Sequence, residues 1–167
     1  IARQIRSVGG NAQAMRMSLE SAESLQAMLC AAQREGPVDI LINNAAITHE
    51  KPFLDLTSGD CLHMFQANLI APFLCCQAVL PHIMTQRWGR FINRASIGGQ
   101  WGGTRQVHYA AAKAGVISMT RSLARLYAAE GITIYAVAPG LVETEMVTQE
   151  LSSPEGQAKV AVIPLRR

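Results

Sequence analysis

Tyr109 and Lys113 stand four residues apart in the run VHYAAAKAGV, where the surrounding residues are mostly small or apolar. On a helix that offset stacks both side chains on one face, so a phenol and an ammonium can address a common point. A free phenol titrates near ~10 and is a weak acid–base group at neutral pH. A cation beside it stabilises the phenolate, and the pair can then hand a proton to an oxygen, or take one back. The same spacing also fits an exposed helix face with a snorkelling lysine, so the reading depends on what else converges there.

Strand and helix alternate along the chain. The glycines at 9–10 end a first helical stretch, QAMRM (13–17) reads as a short strand, and SAESLQAMLCAAQREG carries Leu25, Met28, Leu29 and Ala32 at helical spacing before Gly36-Pro37. VDILINN (38–44) is apolar and β-branched enough for a strand buried on both faces. Thr57, as N-cap with Asp60 at the capping-box position, opens a long helix to about Trp88. A strand RFINRA (90–95), a Gly-rich loop SIGGQWGGT, the helix of YAAAK to about Glu130 and a strand ITIYAVA (132–138) follow, with KVAVI as the remaining short strand candidate. This alternation predicts an α/β domain with a parallel sheet covered by helices. Ligands of such sheets bind beyond the carboxyl ends of the strands. The tips here are NNAA (43–46), RAS (94–96) and APG (138–140), so Asn44, Ser96, Pro139 and Gly140 are expected to converge with Tyr109 and Lys113.

Composition narrows the function classes. The 167 residues are 49% hydrophobic, enough to bury a core, and a net charge of +3 without a basic block beyond the final LRR implies neither nucleic acid nor a membrane surface as partner. No apolar run is expected to reach membrane-spanning length and no signal peptide is visible. Cysteines 30, 61, 75 and 76 lack metal or disulfide spacing, which points to reduced thiols and a cytoplasmic setting. The histidines at 49, 63, 82 and 108 show no ligand spacing either, so no metal is expected.

Five motifs in order, NNAA, Asn68-Leu69, Ser96 after FINRA, YAAAK thirteen residues beyond that serine, and PGLVET, resemble the short-chain dehydrogenase/reductase family over essentially the whole chain. The resemblance implies a Rossmann-type doubly wound parallel sheet flanked by helices, a catalytic set of Asn68, Ser96, Tyr109 and Lys113, and hydride transfer between NAD or NADP and an alcohol or ketone. Tyr109 would be the general acid for reduction and the general base for oxidation. Ser96 would donate to the substrate oxygen, and Lys113 would also hold the nicotinamide ribose hydroxyls. Cofactor contacts would come from Ser18, Asn44, Ala45, Ala46, Tyr109, Lys113, Pro139, Gly140, Val142 and Thr144. A homodimer or homotetramer through helices 57–88 and 107–129 is implied as well.

Asn68 has a reading of its own. Pro72, four residues on, has no N–H, so the Asn68 carbonyl loses its helical partner and can hold a water. The family is thought to relay protons from the lysine through such a water.

Three residues depart from the family pattern: Ala46 for the usual Gly, Ser18 where many members have Asp, and Arg94 where an apolar residue is common. The Gly-rich phosphate loop has no counterpart, since GGQWGG (98–103) follows the wrong strand. Residues 1–167 are therefore expected to be a single partial domain, lacking an N-terminal βαβ portion and a C-terminal strand, with the residue that selects NAD or NADP lying before Ile1. Such a chain is expected to be unstable or aggregation-prone alone and not to bind NAD(P) measurably. Two alternatives stand beside the leading one: a cofactor-free binding or scaffold protein that keeps the fold, and an extended-type sugar-nucleotide epimerase or dehydratase.

Overall fold

The computed structural model describes residues 1–142 and 152–163. Three parallel strands, β1 (Ile40–Asn43), β2 (Gly89–Arg94) and β3 (Ile132–Val137), form a sheet in that order. Their register sets Asn43 beside Asn93 and Asn93 beside Ala136, so the three carboxyl ends lie level. Around them run α1 (Ala2–Ser7), α2 (Ala22–Glu35), α3 (Ser58–Phe65), α4 (Ala71–Gln86), α5 (Ile97–Trp101), α6 (Val107–Tyr127) and α7 (Pro154–Ala161).

The core lies on one face of the sheet. Cys76, Val79 and Ile83 of α4 meet Phe91, Ile132 and Ile134 of the strands, with Met119 and Leu123 of α6 packed against them. A second cluster joins Leu25 and Leu29 of α2 to Ala71 and Cys75 of α4. Each large side chain so buried contributes about 1.5–3 kcal/mol. That gain is what holds α4 and α6 over the sheet, and α6 carries Tyr109 and Lys113.

Thr57 and Asp60 form the expected capping box at the start of α3. Between α3 and α4 the helix widens into a π turn, Gln66–Ile70, with the Ala71 N–H reaching the Gln66 carbonyl. Pro72 explains the widening: it has no N–H to donate, and its ring would press on the carbonyl four residues back.

Several expectations are corrected. Residues 13–17 are not a strand, because no strand among the described residues lies beside them to complete a ladder. β1 is buried on one face only: Ile40 and Ile42 are 51% and 61% exposed, on the same bare side as Tyr135 and Val137, and no described helix packs there. The Gly-rich loop contains the helix α5, started by Ser96 as its N-cap. KVAVI reads as strand by composition, yet most of it belongs to α7, which Ser153 caps and Pro154 opens. Finally, the helical run Ser58–Gln86 is long and apolar enough to span a membrane, with a mean hydropathy of 1.5 in its most apolar window. Its apolar side includes the α4 residues that meet the sheet.

α5 lies against α6 through Gly99, where a Cβ would stand 2.7 Å from the Lys113 carbonyl carbon and 2.8 Å from the Ala114 nitrogen. Both are backbone atoms and cannot move aside alone. Gly99→Ala is therefore expected to lower stability by about 1–3 kcal/mol. At Gly98 the added atom would meet only Ser96 Oγ, at 3.5 Å, and Gly98→Ala should stay within about 0.5 kcal/mol of the parent. Urea denaturation of the two variants checks this, and equal midpoints would refute the close approach.

Candidate active site

Polar side chains thread the space between sheet and helices and fix α6 in place. Thr120 donates to the Val116 carbonyl at 2.8 Å and accepts from Asn93 Nδ2 at 3.0 Å. Asn93 Oδ1 in turn accepts from Asn43 Nδ2 at 2.8 Å. Asn93 and Thr120 are buried, so each bond replaces one that water would have made. The thread ties β1 and β2 to the middle of α6, two turns beyond Lys113.

Lys113 is 2% exposed, and its ammonium donates to the Arg94 carbonyl at the tip of β2, 2.9 Å away. The same ammonium lies 5.7 Å from the centroid of the Tyr109 ring, within cation–π range. Tyr109 and Ser96 both face one cavity of about 440 Å³ at the carboxyl ends of the strands. Pro139, Gly140 and Val142 line its far side. Ser96 Oγ accepts from the Gly98 N–H at 3.1 Å, which leaves the serine proton for another acceptor.

Asn68 does not line the cavity. Its fully buried amide clamps the loop after β1, accepting from the Ile47 N–H at 3.2 Å and donating to the Ile47 carbonyl at 2.9 Å. That loop goes on to Thr48 and Glu50, which do line the cavity. Asn44 accepts from Arg94 Nη1 at 3.2 Å. Ala45 and Ala46 follow without lining the cavity, and Ser18 is exposed and caps locally, accepting from the Glu20 N–H at 3.2 Å. Thr144 lies outside the described residues.

Sequence reasoning offered His49 and His108 as pocket candidates but missed the ties that hold the rim. Glu50 pairs with Arg105 at 2.9 Å, and Thr48 bonds Gln106 at 3.2 Å, strapping the 47–51 loop to the segment before α6. His49 and His108, two scattered histidines by sequence, meet edge-on with Nε2 atoms 3.4 Å apart. Burial first, then the neighbouring His49, pushes His108 below the usual imidazole range. His49 is also 3.9 Å from Asp60, whose carboxylate Lys51 holds at 2.6 Å and, with Thr57, keeps well below the usual range. The capping-box signal at Asp60 was visible in the sequence; its link to the rim was not.

Burial, with the Arg94 guanidinium as the smaller contributor, brings the Lys113 ammonium from 10.5 down to about 8. Between those pH values the unfolded chain holds the proton and the folded chain does not. The charged lysine is thus a cost to folding that is fully present below about pH 8 and fades as pH rises to 10.5. Lys113→Met is expected to stabilise the chain by about 1–2 kcal/mol at neutral pH, with the advantage shrinking across that window. Thermal denaturation at both ends of the window tests it, and a variant less stable than the parent at neutral pH would overturn it.

The family model for short chain dehydrogenases matches residues 1–155. The chain is 40% identical over 161 residues to the 3-oxoacyl-(acyl-carrier-protein) reductase of Vibrio cholerae, covering 96% of this chain and 66% of that protein. It is 39% identical over 146 residues to nodulation protein G of Azospirillum brasilense, covering 87% and 59%. The crystal structure of a 3-oxoacyl (acyl-carrier-protein) reductase from Agrobacterium tumefaciens C58 with NADP bound superposes with a TM-score of 0.91 at 28% identity, over 99% of this chain and 66% of that one. The chain thus spans about two thirds of the length of the curated relatives named first. By the family match over residues 1–155 and the 40% identity to a curated member, the chain belongs to the short-chain dehydrogenase/reductase family.

Proposed function

We propose that this chain carries the catalytic part of an oxidoreductase that transfers hydride between NAD(P) and a small-molecule alcohol or ketone. One observation carries the reading: Tyr109 and Ser96 face the same cavity at the strand tips, with the Lys113 ammonium 5.7 Å from the Tyr109 ring centroid.

The residues present fit the nicotinamide end of the cofactor. The cavity is bordered by the Pro139–Val142 backbone, and above Gly140 a Cβ would meet nothing within 4 Å. Pro139, Gly140 and Val142 would hold that end, with Thr144 beyond them and Asn44, Ala45 and Ala46 at the neighbouring tip; Ser18 would lie toward the adenine. When bound, NAD(P) supplies or accepts the hydride.

Everything else is work for the chain's own side chains. Tyr109 donates the proton to the carbonyl oxygen in reduction and removes it from the hydroxyl in oxidation. Ser96, already accepting from Gly98, donates its O–H to the same oxygen and stabilises the charge that develops there. Lys113, buried behind the cavity rather than lining it, keeps a phenolate favourable and would hold the ribose hydroxyls. The Asn68 side chain is fully engaged with the 47–51 loop, so its part in a proton relay falls to the backbone carbonyl freed by Pro72, which would hold a water.

The assembly is proposed to be a cytoplasmic homodimer or homotetramer, without nucleic acid or membrane as partner. Its faces would be α3–α4 and α6, where Leu62 (71% exposed), Phe73 (45%) and Leu126 (67%) leave apolar surface in water. The four cysteines are free, as a reducing compartment would leave them.

Tyr109→Phe in the complete enzyme is expected to reduce kcat by at least about a hundredfold while cofactor affinity stays within twofold. Steady-state kinetics with cofactor titration tests the assignment, and a variant within tenfold of the parent kcat would refute it. Light scattering at micromolar concentration tests the assembly, for which a well-folded monomer would be the contrary result.

A further inference from the structure

Arg94 is the residue for which the sequence offered no reason. β2 alternates, sending Phe91 and Asn93 into the buried face under α4 and α6 and leaving Arg94 on the other side, at the strand's carboxyl end. There the half-buried Arg94 lines the cavity that Ser96 and Tyr109 share.

Its guanidinium is under-used. Of five N–H donors, the structure commits one, to the neutral Asn44 Oδ1 at 3.2 Å. Among the described residues no carboxylate comes within ion-pair distance of it. The one carboxylate among the described residues that lines the cavity, Glu50, is taken by Arg105 at 2.9 Å and by Gln106 at 3.4 Å. Of the arginines nearest it in sequence, Arg87 pairs with Glu130 at 3.1 Å, and Arg90 lies over the Trp88 ring. A second cation, Lys113, is held by the carbonyl of Arg94 itself. Two positive groups therefore meet at one strand tip with no negative charge from the described residues between them, and each makes the other more costly. A planar guanidinium with a free edge facing a cavity matches a pair of anionic oxygens.

We propose that Arg94 is an anion-receiving residue of this cavity, binding a phosphate or carboxylate group of the molecule that occupies it. The proposal rests on the reading of the cavity as the hydride-transfer site and adds a chemical requirement to it. The anion could belong to the cofactor, as the phosphate next to the nicotinamide ribose, or to the substrate, as the carboxylate of a keto or hydroxy acid. In either source the group would neutralise Arg94 and relieve the repulsion on Lys113, so occupancy should raise the proton affinity of the lysine.

Four probes separate the sources: nicotinamide mononucleotide and its phosphate-free riboside, acetoacetate and its uncharged methyl ester. Dissociation constants are measured by amide NMR titration of the complete enzyme that carries this chain and of its Arg94→Gln and Arg94→Lys variants, with the unperturbed spectra of each variant reporting its fold. Arg94→Gln is expected to weaken one charged probe at least tenfold and leave its neutral counterpart within twofold. Loss confined to the mononucleotide assigns the cofactor phosphate, and loss confined to acetoacetate assigns a substrate carboxylate. Arg94→Lys should recover only part of the loss, because a lysine keeps the charge without the fork. Charged probes that bind Arg94→Gln as tightly as the parent would overturn the role of Arg94 alone. A parent that binds none of the four would overturn the proposed function and, with it, this assignment.

Discussion

A buried ammonium survives only where something accepts its protons, and at Lys113 that acceptor is the carbonyl of Arg94. The requirement reaches in two directions. It demands a strand that ends at this residue, so that the carbonyl is not used by a neighbouring ladder, and it demands a helix held close enough to bring the lysine to it. β2 ends at Arg94, and α6 lies against the sheet through Met119 and Leu123. The tyrosine comes with the lysine because both belong to one face of one helix. What reads as a catalytic pair is thus also a packing problem, solved by the surrounding core.

The solution uses polar groups where an apolar core would have been easier to build. Asn43, Asn93 and Thr120 hand hydrogen bonds from β1 through β2 to α6 in a region closed to water. Apolar contacts are non-directional and tolerate sliding, whereas a buried amide left without its partner costs about 1–3 kcal/mol. Such a thread fixes the height of α6 on the sheet. The π turn at Gln66–Ile70 does similar work on the opposite flank, since it lets Pro72 sit in a continuous helical run while Asn68 reaches the 47–51 loop.

Around the cavity the charges are sorted. Glu50 and Arg105 neutralise each other on the rim, and Asp60 holds Lys51 and stands near the histidine pair. The floor keeps Arg94, with the buried Lys113 ammonium behind it on the Arg94 carbonyl. A rim that is balanced and a floor that is not draws an anionic group inward rather than to the edge. The bare side of the sheet carries Ile40, Ile42, Tyr135 and Val137, and Arg94 stands on that same face, level with Val137, where the sheet meets the cavity.

Much of the site could be read from local pattern. Tyr109 and Lys113 need only helical periodicity to share a face; Ser96, Pro139 and Gly140 need only strands that end before them; the capping box at Thr57 and Asp60 needs only its own spacing. The two-sided burial expected of β1, the strand at 13–17 and the strand in KVAVI failed for one reason. Composition says that a segment suits a sheet, but a partner strand or a covering helix decides whether it enters one. Which residues pair at the rim and strand tips was beyond sequence for a related cause. His49 meets His108 across 59 positions, and Arg94 meets Asn44 across 50. The chain by itself determined which elements form and which chemistry their tips carry. Only tertiary packing decided that Asn68 clamps a loop, that Ser96 caps a helix while facing the cavity, and that Arg94 shares a strand tip with Lys113. Those contacts depend on how far each helix slides along the sheet, a distance set by the whole core at once.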